Sequence, residues 1–246
     1  MSERILILGA TSGIARGVAH ALARRGHRLL LAARDRDELE RLASDLRIRY
    51  GTEAGIIVFD VLDEAQHDVL CAALEGDSQA LDGVVCAIGY LGDQERAFRE
   101  ADEARRIMRI NYEAPALLLN RLAAVFEARG SGWITGIASV AGDRGRQSNF
   151  IYGSAKGGFA LYLQGLRNRL ARHGVQVLTV KPGFVDTAMT WGLPGLFLVA
   201  DPMKVGEAIV RAREKGRNEI YVPGFWRLIM SIIRSIPEAV FKRLSL

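Results

Sequence analysis

Seven short apolar runs, none with a charge in its interior, alternate along this chain with longer stretches of helical periodicity. The runs are Arg4–Leu8, Arg28–Ala33, Gly55–Phe59, Gly83–Ala87, Gly132–Ile137, Val175–Val180 and the short Glu219–Val222. Helical patterns lie between them, at roughly 13–25, 37–50, 63–75, 97–129, 152–172 and 202–215. A strand without charges needs cover on both faces, and strands separated by helices pair in parallel. The expectation is an α/β fold: a single-domain doubly wound parallel sheet of about seven strands, with right-handed crossovers. The domain would span 1–246, since no repeat, low-complexity tract or linker divides it. Such sheets bind ligands at the carboxyl ends of their strands.

About half the residues are apolar and a quarter are charged, which excludes a disordered chain, a collagen-like fibre and a polytopic membrane protein. The 33 basic and 28 acidic residues leave a net charge of +5. That excess is scattered except near the C-terminal end, so no nucleic-acid partner is expected. Cys71 and Cys86 form no CxxC pair and have no histidine at ligand spacing. They read as reduced thiols of a cytoplasmic protein, and no metal is expected. The opening MSERILILGA runs straight into the first strand, unlike a signal peptide. No window approaches the roughly 18 apolar residues that span a bilayer.

The first strand leads into Gly9-Ala10-Thr11-Ser12-Gly13-Ile14-Ala15, where a helix begins. Glycines there let the backbone turn tightly and approach a pyrophosphate, whose charge the free N–H groups of the helix start can hold. This makes Gly9, Thr11, Ser12, Gly13 and Ile14 cofactor-binding candidates on a Rossmann-type sheet. Ala15 occupies the third glycine position. The second strand ends in Ala32-Ala33-Arg34 rather than in the carboxylate that would bind a ribose diol. A guanidinium suits a 2′-phosphate, which favours NADP(H). Asp35 would serve NAD(H) if the strand ended one residue later, and Arg36 either assists Arg34 or is a solvated helix-start charge.

Tyr152 and Lys156 stand at i and i+4, on one face of a helix. A phenol with a pKa near 10 needs help to exchange protons near neutrality, and a neighbouring ammonium would lower that pKa. Ser139, thirteen residues before Tyr152, follows a strand end, where its hydroxyl could bond a substrate carbonyl.

Together, GATSGIA, Asp60-Val61, Asn111 in RINYEAP, Ser139, YGSAK and KPGFVDTAM resemble the short form of the short-chain dehydrogenase/reductase family over essentially the full length. The resemblance implies that Tyr152 is the general acid/base and that Ser139 orients the carbonyl. Lys156 would bind the nicotinamide ribose and tune the tyrosine, and Asn111 would hold a water in a proton relay. It also implies cofactor contacts from Asp60, Val61, Gly89, Tyr152, Lys156, Pro182, Gly183, Val185 and Thr187, with Asp60 at the adenine and Thr187 at the carboxamide or phosphate side. One motif departs: Cys86-Ala87-Ile88-Gly89 stands where the family usually has Asn-Asn-Ala-Gly. A narrower resemblance, carried by AIGYLGD, VAGDRGRQSNF and the closing FWRLIMSIIRSIPEAVFKRL, is to the branch containing decaprenylphosphoryl-2-keto-pentofuranose reductase. It implies a lipid-linked keto-sugar as substrate.

Residues 186–200 include the apolar WGLPGLFLV, read as a lid over the nicotinamide or as packing against the domain or a partner subunit. Facing the pocket, Trp191, Leu193 and Phe197 would favour an amphiphilic substrate. The tail, 225–246, is amphipathic and basic, with Pro237 interrupting its helix. It suits either a membrane interface or a subunit contact.

The combined expectation is an NADPH-dependent carbonyl reductase. It would act on a small-molecule or lipid-linked ketone as a homodimer or homotetramer, in the cytoplasm or at the inner membrane face. The alternatives are a broad-specificity alcohol dehydrogenase acting on a soluble metabolite, and a catalytically silent NADPH-binding regulatory protein.

Overall fold

In a computed structural model of the chain, residues 2–75, 80–192 and 197–244 are described. Seven strands, β1 (Arg4–Leu8), β2 (Arg28–Ala33), β3 (Ala54–Val58), β4 (Gly83–Cys86), β5 (Gly132–Ile137), β6 (Val175–Pro182) and β7 (Glu219–Val222), form one sheet in the order β3-β2-β1-β4-β5-β6-β7. Every pairing is parallel. The expected strands are all present; β3 is displaced by one residue, β4 is one shorter and β6 is two longer.

Alternation along β1 shows how the sheet acquires two cores. Ile5 and Ile7 join one buried cluster, with α1 (Gly13–Ala23), α2 (Arg36–Tyr50) and α8 (Pro202–Glu214). Leu6 and Leu8 join the opposite cluster, with α3 (Glu64–Glu75), α6 (Ala114–Arg129) and α7 (Phe150–Leu170). All four side chains are fully buried, and each burial is worth about 1.5–3 kcal/mol. Glycine sets the closest helix contact. A Cβ on Gly17 of α1 would run into the Pro202 carbonyl, and one on Gly206 of α8 would meet the backbone at Gly17.

The helical pattern at 97–129 proves to be four pieces: α4 (Gln94–Arg99), α5 (Ala101–Met108), a π-helical turn at Arg109–Glu113, and α6. Glu100 breaks it with an extended backbone, and Pro115 sits in the first turn of α6. The tail is likewise broken, into α9 (Trp226–Ser235) and α10 (Glu238–Phe241), with Ile236 extended ahead of Pro237. It docks on the body. Trp226 and Met230 are buried with Val140, and Phe184, Tyr221, Ile229 and Ile233 pack around them. Arg144 donates to the carbonyls of Ile233 and Ile236, pairs with Glu238 at 3.0 Å and stacks 3.6 Å above the Phe241 ring. The apolar surface expected of the tail is therefore split, leaving Phe225, Leu228 and Ile232 exposed. Among the described residues no helix is long and apolar enough to cross a membrane, and no cluster of ligating side chains could hold a metal.

Candidate active site

The sheet reverses its direction of winding between β1 and β4, and the crevice outside those strand ends is where such folds bind ligands. Two adjoining cavities open there, of about 950 and 560 Å³. Thr11, Ser12, Ala87, Ile88 and Gly89 line both, so the two form one trough bent around the glycine loop.

The loop owes its shape to local chemistry. Gly9 has φ +74°, and a Cβ there would stand 2.9 Å from the Ala87 carbonyl oxygen. Ser12 caps α1, its hydroxyl accepting from the Ala15 amide at 3.3 Å. Among the described residues nothing accepts from the amides of Gly13 and Ile14, and the first turn of α1 carries no acid. A free pair of N–H groups at a helix start is an anion site, so the loop fits a diphosphate. A Cβ on Gly13 would stand 2.6 Å from Thr187 Cγ2, which places the loop against the segment after β6.

The smaller cavity holds the adenosine-side candidates, with Gly9, Arg34, Asp60 and Val61 all on its wall. β2 ends at Ala33, so Arg34 stands at the strand end. Asp35 is the cap of α2 and accepts from the Glu38 amide at 3.0 Å, so its carboxylate is committed. Arg36 pairs loosely with Glu40 at 3.7 Å on the exposed start of α2, the solvated alternative. Asp60 Oδ1 accepts from the Leu62 amide at 3.0 Å. Arg106, which the sequence did not single out, also lines this cavity, stacked over Tyr90.

The larger cavity holds Ser139, Tyr152, Lys156, Pro182, Gly183, Val185 and Thr187. Ser139 caps a short 3-10 turn, its hydroxyl accepting from the Ala141 amide at 3.1 Å. Tyr152 and Lys156 come from the first two turns of α7 and are 9% and 3% exposed. The expected electrostatics are corrected in one respect. Burial pushes the Tyr152 phenol up to about 12, and the opposing influence is a hydrogen bond with Ser139 rather than the Lys156 ammonium. The Lys156 ammonium donates instead to the carbonyls of Ile88 and Ile137, both at 3.1 Å, and burial pulls its pKa down to about 8.

Asn111 stands apart from the cavity wall. Fully buried on the π-helical turn, it donates to the carbonyls of Tyr90 and Ile107 at 2.6 and 2.8 Å and accepts from the Tyr90 amide at 3.1 Å. Its side chain thus clamps the turn after β4. A Cβ on Gly89 would lie 3.4 Å from both Asn111 Oδ1 and Lys156 Nζ, so the two flank that glycine. Cys86 is buried, and burial pushes its thiol up to about 11.

Of the expected lid, Thr187 to Thr190 line the cavity. Trp191 is 88% exposed, while Phe197 packs on Phe184 and Trp226 at ring distances of 5.7 and 5.6 Å. Leu193 lies outside the described residues. Sequence reasoning missed Gln94, Arg146, Asn149 and Trp226, which all line the larger cavity. They lie on three segments far apart in the chain, with Arg146 and Asn149 together in the loop before α7, and no spacing links the segments.

The family model described as short chain dehydrogenase matches residues 3–194. The chain belongs to this family. It is an NAD(P)-dependent oxidoreductase, and its relatives carry the name oxidoreductase. An uncharacterised oxidoreductase of Mycobacterium tuberculosis is 35% identical over 240 residues, which are 98% of this chain and 96% of the relative. Another, from Streptomyces coelicolor, is 35% identical over 245 residues, 98% and 95% of the two chains. Among solved structures, a short-chain dehydrogenase from Sphingobium yanoikuyae in complex with NADPH superposes with TM-score 0.82 at 26% identity, covering 96% of this chain and 97% of that one. A bulky-bulky ketone specific alcohol dehydrogenase from Comamonas testosteroni gives TM-score 0.80 at 26% identity, covering 96% of each. The short-chain dehydrogenase fold accounts for the bent trough: glycine loop at one end, serine and tyrosine at the other.

Proposed function

We propose that this short-chain dehydrogenase is an NADP(H)-dependent carbonyl reductase. The observation that carries the reading is the convergence of Ser139, Tyr152 and Lys156 on one cavity continuous with the glycine-loop trough. When bound, NADPH supplies the hydride. The amides of Gly13 and Ile14, beside Thr11 and Ser12, hold its diphosphate, and Arg34 takes the 2′-phosphate. Asp60 and Val61 border the adenine. Gly9 and Gly89 let the backbone come close, and Pro182, Gly183, Val185 and Thr187 wall the nicotinamide side. The NADPH complex of the Sphingobium relative supports this assignment.

On the substrate side, the Ser139 hydroxyl holds the carbonyl oxygen and the Tyr152 phenol delivers its proton there. Burial pushes the phenol up to about 12, so it holds the proton that a reductase delivers. Lys156 binds the ribose and carries the local positive charge. Asn111 acts as a positioning residue for the turn at Gly89 and Tyr90. Replacing Tyr152 with Phe should lower kcat on bulky ketones by about 10²–10⁴-fold and change the NADPH Kd by less than about twofold. Turnover retained in that variant would overturn the assignment. Tight NADPH binding by the native enzyme without turnover of any ketone would favour the silent regulatory reading.

The finer reading is a lipid-linked keto-sugar presented at a membrane surface. Its support is the exposed apolar set Phe225, Leu228 and Ile232, with Phe197 packed on Trp226 of the same helix and Arg227, Arg234, Lys242 and Arg243 nearby in sequence. Flotation with anionic liposomes that is lost in a Leu228→Glu, Ile232→Glu variant would support it. Protein that stays at the bottom in both forms would remove it.

A further inference from the structure

The substrate end of the larger cavity contains polar atoms that the protein itself leaves unpaired. Gln94 Nε2, Arg146 Nε and Asn149 Oδ1 are all buried without a hydrogen-bond partner, and all three residues line the cavity. Each is unpaired for a local reason. Asn149 occupies the cap position of α7, yet its side chain makes no cap bond. The cap is supplied across the fold by Gln94, whose Oε1 accepts from the Ile151 amide at 3.1 Å and whose amide nitrogen is left over. Arg146 sits in the loop before α7, where burial depresses its pKa and Asp143 is the one charge opposing that. Asp143 is already engaged, 2.9 Å from Lys181 and 2.8 Å from the Tyr221 hydroxyl. Two acids stand at the cavity rim, but both are exposed and occupied: Asp93 caps α4 and Glu95 faces Arg99 at 3.8 Å. Leaving buried donors unsatisfied is costly, and a guanidinium most of all.

We propose that Arg146, Gln94 and Asn149 form an oxyanion subsite, so that the ketone this enzyme reduces carries a carboxylate or phosphate group with a neighbouring hydroxyl. Arg146 and Gln94 donate to the oxyanion, and Asn149 accepts from the hydroxyl. This inference rests on the reductase reading, which places substrate in this cavity.

The test is calorimetric titration of the NADP⁺-loaded enzyme, which binds ketones without reducing them. The probes are 4-oxopentanoate against its methyl ester, and dihydroxyacetone phosphate against dihydroxyacetone. At least one charged probe should bind about tenfold or more tightly than its neutral partner, and the pair that discriminates tells carboxylate from phosphate. Arg146→Met should erase the preference and Arg146→Lys should retain part of it, with NADP⁺ affinity unchanged in both as the check on folding. Saturable binding of neither charged probe to the native enzyme overturns the subsite, as does a preference that survives Arg146→Met. Failure to bind NADP⁺ at all would instead sink the reductase reading.

Discussion

Lys156 is the residue whose titration should be most visible. Its ammonium is buried and is pulled down to about 8, while an unfolded chain would hold its proton to about 10.4. Between those limits the unfolded state binds the extra proton, so this group's contribution to stability rises with pH. Below the window, the folded protein bears the full cost of the buried charge. The stability of Lys156→Met minus that of the native enzyme should therefore shrink as pH rises from 8 toward 10, whatever its sign at pH 7. Urea midpoints at three pH values measure it, and a difference independent of pH would refute the shift. On the proposal that Lys156 holds the nicotinamide ribose, the same proton governs the cofactor. NADPH affinity should fall by at most about tenfold per unit as pH rises through 8, and fluorescence titration of Lys156→Met should show a weaker, flatter dependence.

At the scale of elements, the α1–α8 contact depends on two glycines with no space above them. Gly17→Ala would press a methyl into the Pro202 carbonyl, a backbone atom that cannot swing aside. Overpacking of this kind costs about 1–3 kcal/mol, which chemical denaturation should register as a lower midpoint with unchanged slope. Because α1 begins at the diphosphate loop, NADPH affinity should weaken with it; an unchanged midpoint would mean that the helices separate freely. This contact was not legible in the sequence, where Gly17 looks like any helical glycine. The strands were legible because a buried parallel strand writes itself as an uncharged run, and β1, β2, β5 and β7 have the bounds read from the chain. The position of Arg34 at the end of β2 was legible because strand end and charge are adjacent. The break at Glu100 and the π-helical turn were not, since apolar periodicity continues through both. Tyr152 and Lys156 could be paired by spacing alone, but the direction of the phenol's shift depends on burial, which no local pattern records. Gln94 joins Arg146 and Asn149 only in the folded cavity.

For the whole molecule, the outer surface of α6 and α7 is the place to look for a second copy. Tyr112 lies against Gly158, and the Tyr162 hydroxyl bonds the Ala116 carbonyl and Asn120, so the two helices present one continuous face. On it Leu161 is 69% exposed and Leu117 45%, with Tyr112 at 41%. One exposed leucine is unremarkable, but several on adjoining helices mark a contact surface. Light scattering should give a multiple of 27.0 kDa, and Leu161→Asp should shift the species toward that single mass at micromolar concentration. A native mass of one chain would dispose of the idea. The helix that a second copy would cover is the one whose first turns carry Tyr152 and Lys156. A second copy docked on this face would also steady the helix that carries Tyr152, so the monomeric variant should lose thermal stability and turnover together rather than either alone.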